Sequence, residues 1–180
     1  MLGRNEQRIH ASVTQVDLHD FCRLARTYGL EGFHCVTAID AQHEITADLA
    51  EYWQKGPGSN YNPDRREALS LLEVHRTFDE VLEKLRRQYG ADPVVVGTSA
   101  RSYPEKSIDF EGFWGTIAPL GRPVLIQFGT SWGLSPEQMS RCDWVLPPIV
   151  GRDGYNHLSV RCAAAILIDR LMGASTHGST

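Results

Sequence analysis

What the chain lacks narrows its class first. In 180 residues no apolar run approaches the roughly 20 needed to cross a membrane; Pro93 to Val96 and Ala163 to Ile168 are typical of the runs present. Met1 to Arg8 are mostly polar and lead into no hydrophobic stretch, so the pattern of a secretory leader is missing and a cytoplasmic location is expected. Cysteines are few: Cys22, Cys35, Cys142 and Cys162 stand far apart without a C-x-x-C pair, which suits reduced, buried thiols rather than a disulfide framework or zinc centre. Basic residues are not in excess. The net charge of −4 gives no overall attraction to nucleic acid, although local Arg pairs still permit a basic patch. Neither G-x-x-x-x-G-K-[ST] nor G-x-G-x-x-G occurs, which disfavours triphosphates and the dinucleotide fold, and H-E-x-x-H is not present. Internal repeats and low-complexity stretches are also missing.

With 42% hydrophobic and 22% charged residues the chain has the composition of one globular domain, residues 1–180, large enough for a core without metal staples. Short β-branched runs alternate with amphipathic patterns, the signature of an α/β fold with a mostly parallel sheet flanked by helices. The expected strands are Ile9 to Thr14, Phe33 to Thr37, Leu71 to His75, Pro93 to Thr98, Pro123 to Phe128 and Trp144 to Leu146. The expected helices start at an Asp17 cap and stop at Gly29, then cover Ala41 to Trp53, Phe78 to Tyr89, Phe110 to Leu120, a short turn opened by Ser135 and Pro136, and Leu158 to Met172. Lys55 to Pro63, rich in Gly, Pro and Asn, reads as a loop. The stripe of Val160, Ala163, Ala164, Leu167, Ile168 and Leu171 reads as core, with close packing at a dimer interface as the other option.

Ligands of open α/β sheets bind outside the carboxyl ends of the strands. Three such ends share small polar residues: Gly97-Thr98-Ser99-Ala100-Arg101, Gly129-Thr130-Ser131-Trp132-Gly133-Leu134, and Pro147 to Asn156. Glycines admit close approach of backbone amides, and Thr and Ser add hydroxyls. The second loop carries no Lys or Arg, which suits a phosphate-free nucleoside cofactor. His10, His34, His43 and His75 read as ordinary surface or core histidines, and no metal is expected. Asp17 and Asp20 around His19 read as capping and dipole partners. Arg65 and Arg66 beside Tyr61 suit gripping of a nucleotide by charge and stacking.

These residues resemble a known family. Phe128-Gly129-Thr130-Ser131-Trp132-Gly133-Leu134-Ser135, Cys142-Asp143, and Gly154-Tyr155-Asn156-His157-Leu158-Ser159-Val160-Arg161 are similar to the C-terminal half of SPOUT RNA methyltransferases. The resemblance extends to Asp17 to Gly29, Tyr61-Asn62-Pro63 and Thr98 to Arg101, and points to the bacterial SAM-dependent RNA methyltransferase family similar to the tRNA (guanine-N1) methyltransferase domain. It implies a C-terminal deep trefoil knot, an exception to the rule that chains avoid knots, and a homodimer joined largely by the first and last helices. S-adenosylmethionine would lie against Thr98, Ser99, Ala100, Phe128, Gly129, Thr130, Gly133, Leu134, Ile149, Gly151, Tyr155, Asn156, Leu158, Ser159 and Val160. In the SpoU-like branch an Asn and, six residues on, an Arg act in catalysis; Asp17 and Arg23 match them here. That branch has a Glu where this chain has Ser131. Relatives carry a further strand ahead of Ile9, for which only eight residues are present, so either the start of the chain lies too far downstream or this member tolerates a sheet one strand short.

The reading is therefore a homodimeric methyltransferase moving a methyl group from S-adenosylmethionine to RNA (tRNA or rRNA). Arg23, His157 and Arg101 are its catalytic candidates, and Arg65, Arg66 and Tyr61 its RNA contacts. The alternatives are a knotted SAM- or nucleoside-binding regulatory domain without catalysis, and a flavodoxin-like flavin binder.

Overall fold

The computed structural model describes residues 12–173, which fall into two compact units, Ser12–Val81 and the residues from Leu82 onward. Each is taken by itself.

In the first unit, helix α1 covers Gln15–Thr27, strand β1 Phe33–Val36, helices α2, α3 and α4 Asp40–Gln54, Gly58–Tyr61 and Pro63–Leu69, and strand β2 Leu72–His75. Thr14, not Asp17, is the N-cap of α1: its hydroxyl oxygen accepts the Asp17 amide at 3.2 Å, and the hydroxyl donates to the Asp17 carboxylate. That spacing is a capping box with Asp in the acidic position. Ser12 to Thr14 are not strand, and the rest of the expected Ile9 to Thr14 strand lies outside the described residues. Leu18, Cys22 and Ala25 recur at helical spacing and bury one face of α1. Glycine at residue 29, φ +66°, takes the left-handed turn that ends it. The expected loop 55–63 contains α3, and Arg65 and Arg66 stand on α4. Asn62 caps α4 by accepting the Arg65 amide at 3.0 Å, and Pro63 occupies its first turn. β1 and β2 pair in parallel, with Phe33, His34, Cys35 and Val36 opposite Leu72, Glu73, Val74 and His75. Leu18, Cys22, Trp53, Leu69 and Leu72 pack together as the core. Each such large apolar side chain contributes roughly 1.5–3 kcal/mol by leaving water.

Helix α5, Phe78–Tyr89, matches its expected span, and Gly90 follows it at φ +69°. In the second unit β3 (Val94–Gly97) lies between β4 (Val124–Gln127) and β5 (Trp144–Val145), all parallel. Flanked on both edges, β3 is buried at every residue, which explains its unbroken Val-Val-Val sequence. The expected helix over 110–120 is three tight turns: α6 (Phe110–Gly112), a π-helical Phe113–Ile117 and a 3₁₀ turn Ala118–Leu120. Gly112, Gly115 and Pro119 weaken an uninterrupted helix there. Helix α7 is Pro136–Ser140, capped by Ser135, and α8 is Val160–Gly173, starting two residues later than expected. Leu167 and Leu171 of α8 join Val94, Val96, Ile117 and Leu146 in the core. The Trp114 indole donates to the Leu171 carbonyl at 2.8 Å, satisfying one of the orphan acceptors at the helix end.

The architecture is thus mixed α/β with parallel pairing and flanking helices, as the alternating sequence pattern implies. Among the described residues no helix is long and apolar enough to cross a membrane.

Candidate functional site

The ends of β3, β4 and β5 open on the same edge because the three strands are parallel and in register. Two side-chain bonds tie their loops together. Thr98, buried just after β3, donates its hydroxyl to the Gln127 carbonyl of β4 at 2.7 Å. Asn156 reaches back across the chain and donates its amide to the Ala100 carbonyl at 2.8 Å. The structure therefore brings Thr98, Ser99 and Ala100 together with Asn156 and the end of β4.

Each loop is shaped by close backbone approach. A Cβ on Gly129 would lie 2.6 Å from the Gly133 carbonyl carbon and the Leu134 nitrogen, so the loop closes on itself through a bare glycine. The Gly133 amide donates to the Thr130 carbonyl at 3.0 Å, and the turn between them holds Ser131 at φ +56°. A left-handed serine is strained, and strain of this kind concentrates at sites where a loop must present its backbone. In the third loop a Cβ on Gly151 would overlap the Tyr155 carbonyl oxygen. Gly97 has a different reason to be glycine: the Cys142 sulfur lies 2.8 Å from where its Cβ would be, so it serves strand packing rather than the loop.

The loops expose apolar surface next to these backbone turns. Trp132 is 54% exposed and Tyr155 69%, with the Tyr155 and His157 rings edge to face at 5.6 Å. Leu158 is also exposed. Arg101 is exposed, and its amide donates to Ser99 Oγ at 3.0 Å. A cradle of turns, hydroxyls and exposed rings, with no cation in the second loop, fits a neutral nucleoside with a short charged tail better than a phosphate.

The other candidates stand in the first unit. Arg23 is exposed on α1, and Arg65 lies over the Trp53 ring, 4.8 Å from its centroid. Trp53 also meets the His19 ring edge to face at 5.7 Å. Burial holds the His19 pKa below its usual value, the Arg65 charge adds to that, Asp20 opposes it and Arg23 reinforces it. His19 Nδ1 is buried with no hydrogen-bond partner among the described residues. The charges of Arg23 and Arg65 thus both act on one imidazole, and sequence reasoning missed both His19 and Trp53 as members of the group. The spacing of His19 and Arg23, one helical turn apart, was the available signal.

Tyr61 is 85% exposed, and the Arg65 guanidinium sits on Trp53. Arg66 borders a surface groove of about 470 Å³ with Lys55, but Asp64 and Glu67 share its lining, so the groove has no net positive charge. Glu67 is moreover paired with Arg26 of α1, Nε to Oε1 2.7 Å. Cys22, Cys35 and Cys142 are buried free thiols as expected; Cys162 is exposed, against expectation, because it faces outward on α8.

A family model described as SAM-dependent RNA methyltransferase matches residues 1–173. Among curated proteins, the chain is 39% identical over 173 residues to a tRNA (guanine-N(1)-)-methyltransferase of Oleidesulfovibrio alaskensis and 42% identical over 169 residues to one of Nitratidesulfovibrio vulgaris. These matches cover 96% and 90% of this chain but only 40% and 37% of those proteins, so the chain spans about two fifths of their length. An uncharacterized protein of Aquifex aeolicus is 40% identical over 170 residues, covering 94% of this chain and 82% of its own length. Among solved structures, a probable methylase family protein from Haemophilus influenzae superposes with a TM-score of 0.63 at 18% identity, covering 92% of this chain and 64% of that one. The SpoU methyltransferase AviRb from Streptomyces viridochromogenes, solved in complex with AdoMet, gives 0.59 at 20% identity over 93% and 58%. At that identity the likeness is one of fold.

Proposed function

Because the chain belongs to the family of SAM-dependent RNA methyltransferases, we propose that it transfers a methyl group from S-adenosylmethionine to tRNA or rRNA in the cytoplasm. In this reading residues 1–180 form one domain that ends in a deep trefoil knot and works as a homodimer. The observation that carries it is the joining of three strand-end loops by the Thr98–Gln127 and Asn156–Ala100 bonds. Loops fixed in this way form a cradle before any ligand arrives, which lowers the ordering cost of binding.

The cofactor would be held by Thr98, Ser99 and Ala100 on the first loop and by Phe128, Gly129, Thr130, Gly133 and Leu134 on the second. Ile149, Gly151, Tyr155, Leu158, Ser159 and Val160 line the third. Asn156 would join them: one N–H of its amide holds Ala100, and its second N–H and its carbonyl oxygen remain for the cofactor. When bound, the cofactor supplies a sulfonium methyl, an electrophile that asks the protein for orientation of the acceptor and removal of its proton. Arg23, with Arg65, Arg66 and Tyr61, would orient RNA by charge and stacking; His157 and Arg101 are the candidates beside the cradle for handling the proton.

A second reading is a domain that binds the cofactor without turnover. It is favoured by Asp17, which stands where the SpoU-like branch has Asn and whose carboxylate accepts the hydroxyl of the Thr14 cap, and by Ser131 in place of Glu. Calorimetric titration with S-adenosylmethionine and S-adenosylhomocysteine, with FMN and ATP as controls, is expected to give one cofactor per chain. Arg23→Ala is expected to leave that affinity within about twofold and to lower methyl transfer to bulk RNA by ~10²-fold or more. Cofactor binding without transfer by the unaltered chain selects the second reading, and no binding by folded protein rejects both.

A further inference from the structure

We propose that His34, Glu73 and His75 form a binding site for a borderline divalent cation, with zinc(II) as the ion that fits it. The pairing of β1 with β2 makes the site. His34 stands opposite Glu73, and His75 follows Glu73 by two residues, so strand alternation places all three side chains on one face of the parallel pair. His34 Nδ1 lies 3.1 Å from His75 Nε2, and Glu73 Oε2 lies 3.6 Å from His75 Nε2 and 4.0 Å from His34 Nδ1.

Those separations are the argument. Zinc bonds to imidazole nitrogen and carboxylate oxygen run about 2.0–2.2 Å, so at a tetrahedral angle two ligand atoms stand roughly 3.4 Å apart. The observed triangle brackets that value, and an ion at its centre would need only small rotamer adjustments. Two imidazoles and one carboxylate are the donor set of a borderline cation, whereas magnesium and calcium prefer oxygen throughout. Burial is graded in the right sense. The histidines are 11% and 12% exposed in their side chains and Glu73 is 40% exposed, so the nitrogens are sheltered and the carboxylate stands at the solvent edge, where an ion enters. Three protein ligands leave a fourth position for water.

The competing account is a plain hydrogen bond between the imidazoles, one nitrogen donating and the other accepting, with Glu73 as an incidental neighbour. That arrangement has no reason to bind a metal, and so the two accounts separate cleanly. The proposal is independent of the methyltransferase reading, because all three residues lie on the β1–β2 pair rather than in the loops that follow β3, β4 and β5. Its consequence is a clamp joining two short strands whose sequence positions are 41 residues apart.

The test is calorimetric titration of the full chain with zinc chloride, carrying Cys162→Ser to remove the exposed thiol, with magnesium chloride as the hard-cation control. One zinc per chain at micromolar affinity or tighter is expected, and no magnesium heat. At a free zinc concentration ~100 times Kd the melting temperature is expected to rise by about 5–10 °C. His75→Gln should weaken zinc binding at least tenfold, and Glu73→Gln by a smaller factor. His34→Gln serves as the second histidine variant should His75→Gln fail to give a native far-ultraviolet circular dichroism spectrum. Folded protein that binds no zinc, or zinc binding unchanged in the folded histidine variant, overturns the site.

Discussion

Protonating His19 means placing a charge in a half-buried position against Trp53, near the fixed charges of Arg65 and Arg23. Its pKa is held low first by burial and then by Arg65, so the folded chain binds this proton less readily than the unfolded chain does. The sign of the stability effect follows. Above the ordinary histidine pKa near 6.5 both states are neutral and nothing is lost; as pH falls through that value the unfolded state gains the proton first, and stability declines. We expect His19→Gln to flatten the dependence of unfolding free energy on pH between about 7 and 5 relative to the natural chain. Equal slopes in urea unfolding series at these pH values would show that His19 titrates freely. None of this was visible in the order Asp17, Leu18, His19, Asp20, where the acids suggested only helix capping. Folding sets the Trp53 ring against the imidazole and brings the Arg65 charge to bear on it.

At the scale of the element, what the sequence disclosed depended on whether an element's cause was local. Helix α5 carries its apolar spacing, acidic first turn, basic last turn and terminal glycine within its own residues, and its expected span is the observed one. Helix α4 also carries its signals, Asn62 as cap and Pro63 in the first turn, but they are embedded in a Gly- and Pro-rich stretch whose composition argues for loop. His34 and His75 each looked isolated because their meeting depends on which strands pair and in what register. The loop after β4 combines both cases: its glycines were legible as functional, yet the reason for Gly129 is the backbone of Gly133 and Leu134 at 2.6 Å from its missing Cβ. A methyl there must push backbone rather than a flexible side chain, an overpacking that costs about 1–3 kcal/mol. Gly129→Ala is therefore expected to lower the melting temperature by several degrees and the affinity for S-adenosylmethionine by tenfold or more, read by calorimetry on the folded variant. Unchanged affinity would remove this loop from the cradle.

For the whole molecule the open question is how one chain meets a second, and the thiols offer a direct probe. Burial raises the Cys22 thiol to about 12, helped by its neighbour Cys35, and raises Cys35 and Cys142 to about 11. Buried and protonated at neutral pH, these three should be silent toward a disulfide reagent until the chain unfolds, because the thiolate is the nucleophile. Cys162 is exposed on α8, next to the half-buried Val160 and Ala163 and close to the exposed Ala165. Small side chains on an exposed helix face permit the close approach of another helix. If the proposed homodimer uses α8, Cys162 lies in its interface. The expected result is one reactive thiol per chain in dilute protein, slowing as concentration rises, in step with a dimer mass in sedimentation equilibrium. A dimer whose Cys162 reacts at the dilute rate would move the interface away from this face of α8, and a monomer at every concentration would remove the dimer from the proposed mechanism.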